Sequence, residues 1–283
     1  MKIGFLGAGK VGVSLGKYFK IKGLNLSGYY SRKLASSQFG AGFTDSKYYT
    51  SFQKFIVESD IIFITTTDNE VVNCYNKLSN FDLRGKILIN TSGSISSKEF
   101  SKARELGAYS YSLHPIYPFP DKETSYKNLN QAVFTLEGQA EKLNIIYEII
   151  TSLGNDVVIL NGDKTTYHLA CVMASNLMLA LTSKAINYLK LLGFTEESAI
   201  SILIPLIKSN FQSIEQVGLV NSLTGPVLRY DSLTIKKHLE VINLEDAQFY
   251  KDLSLELLSL AIKKNGENQG YAELKRILGG INL

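Results

Sequence analysis

The sequence has few of the features that mark several large classes of protein. Its two cysteines, Cys74 and Cys171, lie far apart and match no metal-binding or redox spacing. The net charge is only +4, and no run of lysine and arginine is long enough to form a nucleic-acid surface. No apolar run approaches the roughly 20 residues that a membrane helix requires; the longest covers residues 171–181. These absences favour a cytoplasmic protein that binds no metal, nucleic acid or membrane.

The pattern of apolar residues predicts two domains in the 283-residue chain. Up to residue 160, short apolar runs alternate with amphipathic stretches, which indicates βαβ units and a largely parallel sheet. The predicted strands are 2–6, 26–30, 61–65, 87–90, 110–113, 132–136 and 156–160. The later part reads as helices at 163–192, 232–241, 245–264 and 271–278, with another that begins at Thr195. We therefore expect an α/β domain over residues 1–160 and an all-helical domain over 161–283.

A glycine-rich segment follows the first predicted strand and opens the first predicted helix. Its residues are Gly7, Ala8, Gly9, Lys10, Val11 and Gly12. In a GxGxxG segment the glycines allow a tight turn, close approach of the backbone to a pyrophosphate, and close helix–strand packing. The strand–turn–helix context predicts a dinucleotide site of the Rossmann type. The alternative is a glycine-rich turn that binds nothing.

The end of the second predicted strand bears on the choice of cofactor. NAD sites usually place an acidic residue there, on the ribose 2′-hydroxyl. Here the strand runs into Ser31, Arg32 and Lys33, and the first acidic residue of the chain is Asp45. A guanidinium binds a 2′-phosphate, whereas a carboxylate would repel it. The sequence therefore favours NADP(H), the alternative being that Arg32 and Lys33 form a solvated turn.

Small polar residues follow the later strands, at the edge of the sheet where ligands bind in open α/β folds. We assign the cofactor to Thr65, Thr66 and Thr67 after one strand, and to Thr91 and Ser92 after the next. Ser92 is also predicted to line the substrate site, together with Gly93 and His114. Each of these residues has the alternative reading of an ordinary polar loop or, for His114, a structural histidine.

A polar face is predicted on the apolar helix over residues 163–192. At 100° per residue, Ser175 falls only about 20° from His168, and Asn176 about 80° from it. Buried polar groups need partners, so these three residues either form a polar contact between domains or face a substrate. In the second case Ser175 binds substrate and His168 donates the proton.

With these residues in view, the chain resembles a family of oxidoreductases that have a Rossmann-like N-terminal domain and a helical C-terminal domain of unassigned function. More distantly it resembles pyrroline-5-carboxylate reductase, ketopantoate reductase and the β-hydroxyacid dehydrogenases, with a C-terminal domain like that of 6-phosphogluconate dehydrogenase. The matching segments are the glycine loop with Ser31-Arg32, 90–93, 113–115, 167–168, 174–176, and 224–226 with Arg229 and Asp231.

The resemblance implies roles for residues of the long helix. His168 stands where the distant relatives carry an acid–base lysine, Asn176 corresponds to their asparagine, and Lys164 is a second candidate for the lysine. It also implies a homodimer formed through the helical domain. The expected function is reduction of a small carbonyl or imine compound by NADPH in an interdomain cleft. The alternative is a non-catalytic NADP-binding sensor or scaffold.

Overall fold

The computed structural model describes residues 1–279, and its centre is an eight-stranded sheet in the order β3-β2-β1-β4-β5-β6-β7-β8. The strands are β1 (Ile3–Leu6), β2 (Leu26–Tyr30), β3 (Lys47–Tyr48), β4 (Ile61–Ile64), β5 (Ile87–Asn90), β6 (Tyr109–Ile116), β7 (Val133–Gly138) and β8 (Val157–Ile159). Neighbouring strands are parallel except β6 and β7. The predicted strands are all present; the two-residue β3 was not predicted because so short a strand leaves no alternation to detect.

Helices cover both faces of the sheet, as parallel strands buried on two sides require. They are α1 (Lys10–Ile21), α2 (Leu34–Thr44), α3 (Phe52–Glu58), α4 (Asp68–Leu78) and α5 (Leu143–Ser152), with 3₁₀ turns at Ser97–Ala103 and Ser125–Gln131. Alternate residues of each central strand enter opposite cores: in β1, Phe5 packs on one side and Leu6 on the other. The α/β Rossmann-type fold predicted from the sequence is confirmed.

The helix predicted as continuous over residues 163–192 is broken. The structure has α6 (Lys164–Ala174), then Ser175 at φ −119° and ψ −74°, then α7 (Asn176–Leu191). The Ser175 hydroxyl donates a hydrogen bond to the carbonyl of Cys171, four residues earlier, at 2.7 Å. Hydroxyl bonds of this kind compete with the backbone ladder and bend helices, so the single-helix prediction is wrong at this residue.

The segment Lys164–Leu191 also corrects the statement about apolar runs. It is 28 residues long, an 18-residue stretch within it has a mean hydropathy of 1.5, and by length and composition alone it could cross a membrane. The expectation that the chain has no such run is therefore wrong. One such segment is weak evidence for a membrane protein, and here the break at Ser175 divides it.

The chain divides into two compact units, residues 1–178 and 179 to the C terminus. The first unit contains α6, which the sequence analysis grouped with the helical domain. The second contains most of α7, followed by α8 (Glu196–Val217), α9 (Leu219–Ser222), α10 (Ser232–Val241), α11 (Leu244–Asn265) and α12 (Gln269–Gly279). Its small core joins α10, α11 and α12 around Ile235, Leu258 and Leu274. As predicted, Thr195 caps α8, accepting a hydrogen bond from the Ser198 amide.

Candidate functional site

The glycine loop connects β1 to α1, and two of its glycines are required by their surroundings. Gly7 has a φ of +115°, in the left-handed region that favours glycine. A Cβ on Gly12 would lie 2.4 Å from the Thr65 hydroxyl and 2.7 Å from the carbonyl of Gly7. Thr65, at the end of β4, donates to that same carbonyl at 3.0 Å. Thr65 therefore helps to fix the conformation of the glycine loop through this hydrogen bond and contact. The cofactor contact predicted for Thr65 stays a prediction.

The third glycine leaves open space at the start of α1. Gly9 is the N-cap of the helix, and a Cβ there would meet no atom of residues 1–279 within 4 Å. Within the described chain no side chain caps this helix, so its first backbone N–H groups point outward without a capping partner. Lys10 beside them is exposed, while Val11 packs towards the core. Open space, free N–H groups and the positive end of a helix fit a diphosphate.

The basic turn after β2 lies where the sequence predicts it, but it has an acidic neighbour. Ser31 is half-buried, Lys33 is exposed at the N-cap of α2, and the Arg32 guanidinium lies 3.3 Å from the carboxylate of Glu70. Glu70 belongs to the first turn of α4 and is remote in sequence. The stretch before Asp45 is free of acid in sequence, yet folding brings a carboxylate to Arg32. Because the Arg32 side chain is 75% exposed, this ion pair is weak and can rearrange.

The loop after β5 is held together by its own side chains. The Ser92 hydroxyl accepts hydrogen bonds from the amides of Ser94 and Ile95, both at 3.1 Å. The Ser94 hydroxyl donates to Asp68 at 2.9 Å and lies 3.1 Å from the Ser92 hydroxyl, so the Ser92 hydrogen is directed at Ser94. With these bonds Ser92 fixes the shape of the loop. Its neighbour Thr91 is nearly buried. After β4, Thr66 is half-buried and Thr67 is exposed.

Two imidazoles meet at Gly93. A Cβ on this glycine would lie 2.5 Å from Cδ2 of His168 and 3.1 Å from both Cε1 and Nε2 of His114. The two ring centroids are 6.5 Å apart and the ring planes are nearly perpendicular. Glycine is therefore needed here so that both rings can approach the backbone. His114 and His168, 54 positions apart in the sequence, thus form one site at the carboxyl edge of β5 and β6.

Tyr167 joins this site and was not predicted. Its hydroxyl lies 2.7 Å from Nδ1 of His114 and receives a hydrogen bond from the Thr135 hydroxyl at 3.0 Å. Burial is the main cause that raises the pKa of Tyr167 to about 12. The only sequence signal was its position next to His168, because nothing in the sequence reports that Thr135 faces His114 across β6 and β7.

Lys164 lies one turn before His168 and is almost fully buried, 4% exposed. Its ammonium donates to the Ser112 hydroxyl and lies 4.0 Å from Oε2 of Glu137. Burial lowers the pKa of Lys164 to about 8, with Glu137 and Asp68 opposing the shift. Burial of the His114 ring, together with the charge of Lys164, lowers the pKa of His114 to about 4. Lys164 is thus a buried cation close to Glu137, and its charge acts on the neighbouring imidazole of His114.

Ser175 and Asn176, the other two residues predicted on the polar face, lie at the break between α6 and α7. Ser175 and Asn176 are exposed, and the Ser175 hydroxyl contacts the Asn176 amide oxygen at 3.0 Å. The predicted common face assumed an unbroken helix. Because the backbone breaks at Ser175, the 80° offset of Asn176 from His168 does not hold, and the substrate-facing roles of Ser175 and Asn176 stay predictions.

Comparison with known proteins supports the fold. Residues 132–257 match the family model described as a domain of unknown function, DUF2520. No curated protein sequence matches the chain. The match begins in β7 and ends in α11, so it includes Tyr167 and His168 but not the glycine loop.

Several solved structures share the architecture over nearly the whole chain. Protein TM1727 from Thermotoga maritima is 24% identical, with a TM-score of 0.74, over 93% of this chain and 99% of that one. BF3122 from Bacteroides fragilis, a candidate NADP oxidoreductase, is 20% identical, with a TM-score of 0.66, over 94% and 98%. A reductive aminase from Aspergillus terreus, in complex with NADPH and ethyl levulinate, is 14% identical, with a TM-score of 0.61, over 99% and 92%.

These likenesses confirm the predicted resemblance at the level of fold. The chain has a Rossmann-type domain followed by helices, the architecture of oxidoreductases that bind NADP(H). The finer resemblance to pyrroline-5-carboxylate reductase stays a prediction.

Proposed function

We propose that the chain is an NADPH-dependent reductase of a small carbonyl or imine compound. The observation that carries this proposal is the pair of imidazoles at Gly93. They lie at the edge of the sheet where β1 also ends and the glycine loop begins. When bound, NADPH would supply a hydride from its nicotinamide ring. The glycine loop and the start of α1 would hold its diphosphate, and Ser31, Arg32 and Lys33 its 2′-phosphate.

The two histidines have separate roles in this proposal. His168 gives the proton to the substrate atom that becomes negative as hydride reaches the adjacent carbon. His114, held by Tyr167, orients that atom, and Thr91 is buried after β5 at the same edge of the sheet. The Lys164 ammonium donates to Ser112, and the Ser92 hydroxyl binds the amides of its own loop, so both residues support the site rather than contact the substrate.

Turnover tests the proposal directly. Small keto acids and cyclic imines are supplied with NADPH, and the loss of its absorbance is followed. His168→Ala should reduce kcat about 100-fold or more, since general acids typically contribute 10²–10⁴. His238→Ala is the matched control, because the third histidine of the chain pairs with Tyr250 on α10 and α11. Equal loss in both variants, or unchanged turnover in His168→Ala, contradicts the role of His168. NADPH binding without turnover of any substrate supports a sensor instead.

The preference for NADP(H) is tested by separate titrations with NADPH and NADH. Arg32→Gln should weaken NADPH binding about 10- to 100-fold with little effect on NADH, because a charged hydrogen bond contributes ~1.5–3 kcal/mol. Arg104→Gln is the control: this arginine is also 75% exposed and paired with a carboxylate, Glu141. Glu70→Gln should strengthen NADPH binding up to about fivefold, since the competing ion pair is worth at most ~1 kcal/mol. Equal effects on both cofactors would refute this assignment.

We also propose that the chain acts as a homodimer formed through α7 and α8. Within the described residues α7 has no buried side chain and α8 has one, Ala199. Large apolar side chains are exposed on both helices, among them Leu179, Leu181, Leu191, Ile202, Leu206 and Phe211. Two helices of 16 and 22 residues cannot leave this surface in water, because each such side chain gains ~1.5–3 kcal/mol on burial. The resemblance drawn from the sequence supports a second copy of the chain as the cover.

The mass of the protein in solution tests this proposal. We expect a dimer at micromolar concentration, and Leu206→Glu should weaken it about 100-fold or more, equivalent to ~2.7 kcal/mol. Val57→Glu is the control, because Val57 is 70% exposed on α3 of the first unit. A monomeric wild-type protein, or one that partitions into lipid vesicles, contradicts the proposal.

A further inference from the structure

Tyr167 lies between two elements of the sheet unit, and its position is fixed by the strand register. His114 on β6 and Thr135 on β7 are direct partners in the antiparallel ladder. The Tyr167 hydroxyl contacts both side chains, Nδ1 of His114 at 2.7 Å and the Thr135 hydroxyl at 3.0 Å. The three residues therefore form a hydrogen-bonded chain whose geometry does not depend on a flexible loop.

The direction of the proton in this chain follows from the donors available. Thr135 donates to the oxygen of Tyr167, so the single Tyr167 hydrogen is free to point elsewhere. It faces either Nδ1 of His114 or the sulfur of Cys171, which also contacts the tyrosine. Sulfur is a weak acceptor, whereas a ring nitrogen at 2.7 Å is a strong one, and this distance is typical of an O–H donor. Tyr167 therefore donates to His114.

This direction fixes the tautomer of His114. A neutral imidazole has one N–H group, so an accepting Nδ1 places the hydrogen on Nε2. Burial and three neighbouring groups set the protonation of His114. Burial, the Lys164 ammonium and His168 lower its pKa to about 4, while Asp68 opposes them. His114 is thus neutral near pH 7, and Nε2, which has no hydrogen-bond partner among residues 1–279, carries its hydrogen beside Gly93.

We infer that His114 is a fixed, neutral hydrogen-bond donor through Nε2–H, positioned by Tyr167 and Thr135, and that the site accepts a carbonyl oxygen there. This inference rests on the proposed reductase function and names the substrate class within it. An imine nitrogen has a single lone pair, and once the proton from His168 occupies it, none is left to accept this bond. A carbonyl oxygen has two, and it becomes more negative in the transition state, where a preorganised donor contributes most.

The electrons and protons balance with two different histidines. Hydride adds to the carbonyl carbon, the C=O π bond breaks, and its electron pair moves to oxygen. That oxygen accepts the hydrogen bond from Nε2–H of His114 and takes its proton from a ring nitrogen of His168. His114 keeps its own proton, because losing it would create an imidazolate anion. A neutral histidine that polarises a carbonyl is known in enzymes that keep imidazole uncharged by its surroundings.

Long-range ¹H–¹⁵N NMR of protein labelled in histidine tests the tautomer without any substrate. With three histidines in the chain the spectrum is simple to assign. We expect His114 to show an unprotonated Nδ1 and a protonated Nε2, unchanged from about pH 8 to about pH 5. In Tyr167→Phe the Nδ1–H form should appear, and His114 should titrate at higher pH.

The second unit of the same chain provides a matched control. Nδ1 of His238 lies 2.8 Å from the hydroxyl of Tyr250, the same pairing in a different place. Tyr250→Phe should change the signals of His238 only. A protonated Nδ1 on His114 in the wild-type protein overturns the inference, and so does a Tyr167→Phe variant in which the tautomer and titration of His114 are unchanged.

Kinetics separate the inference from the reductase proposal. With a ketone substrate, Tyr167→Phe should lower kcat about tenfold or more while the Kd for NADPH is unchanged, because the tyrosine orients only the substrate-binding histidine. A preference for iminium salts over ketones overturns the substrate class. If the tautomer is as expected but no carbonyl compound is turned over, the reductase proposal fails and the assignment of Nε2–H stands.

Discussion

The low pKa of His114 makes the stability of the first unit depend on pH in a defined window. In the folded protein this pKa is about 4, against an ordinary value of 6.5, chiefly because the ring is buried. The unfolded chain therefore binds the proton more readily than the folded one. The contribution of the buried, neutral His114 ring to the free energy of unfolding is fully present above about pH 6.5. It is lost as the pH falls towards about 4. The perturbation we consider is this change of pH, applied to the wild-type protein and to His114→Gln.

The magnitude follows from the difference in pKa. About 2.5 pKa units at ~1.36 kcal/mol each give a loss of about 3 kcal/mol between pH 6.5 and pH 4. The slope cannot exceed ~1.4 kcal/mol per pH unit, because a single proton is bound. Carboxylates with lowered pKa, such as Asp121 and Asp231, contribute a further loss near the acid end of the window. They titrate equally in both proteins, so the difference between the two curves isolates His114.

The assay is urea unfolding followed by circular dichroism, at intervals through this window and at one protein concentration, since dimerisation would shift the midpoints. We expect the wild-type free energy of unfolding to fall about 3 kcal/mol more than that of His114→Gln. The absolute stability of the variant does not enter the comparison. Parallel curves for the two proteins, or a wild-type curve that rises as the pH falls, would refute the burial argument.

Two further predictions concern the loop and the buried ion pair. Gly12→Ala should cost ~1–3 kcal/mol of stability and abolish tight NADPH binding, because its Cβ would lie 2.4 Å from a neighbouring hydroxyl. The control is Gly42→Ala, on an exposed turn of α2 with open space around it, which should be neutral or slightly stabilising. Equal losses of stability in the two variants, measured by thermal unfolding, would contradict the steric reason. Lys164→Met alone should destabilise by about 3 kcal/mol because it leaves Glu137 buried without its cation, whereas adding Glu137→Gln should recover most of that loss. A double-mutant cycle by urea unfolding measures this, and simple addition of the two single losses would show that the pair is not coupled.

The strands and the loop were predictable because their signals are local. Each central strand is an apolar run of about five residues bounded by turns, and that pattern does not depend on its partners. The glycine loop was recognised from spacing and position alone, and the structure supplies a reason for Gly7 and Gly12 in the contacts around them. His114 and His168 were each predicted separately, but their meeting at Gly93 depends on the packing of α6 against the sheet.

The sequence did not reveal one local hydrogen bond or the contacts between residues that are remote in the chain. The break at Ser175 depends on the choice of one hydroxyl between solvent and a backbone carbonyl. The carboxylate of Glu70 reaches Arg32 because α4 begins after β4, at the same edge of the sheet as the turn after β2. Lys164 was a second candidate for the acid–base lysine, and only the tertiary structure shows that its ammonium is buried against Ser112 and Glu137.

By itself, the sequence determined a Rossmann-type sheet, a glycine-rich loop at its start and a helical second half, since apolar periodicity and glycine spacing are properties of neighbouring residues. Only the tertiary structure decided which polar groups act together. Strand register places Thr135 opposite His114, and helix packing brings Tyr167 to them both. The direction of each hydrogen bond, and so the proton on His114, is a property of that three-dimensional arrangement.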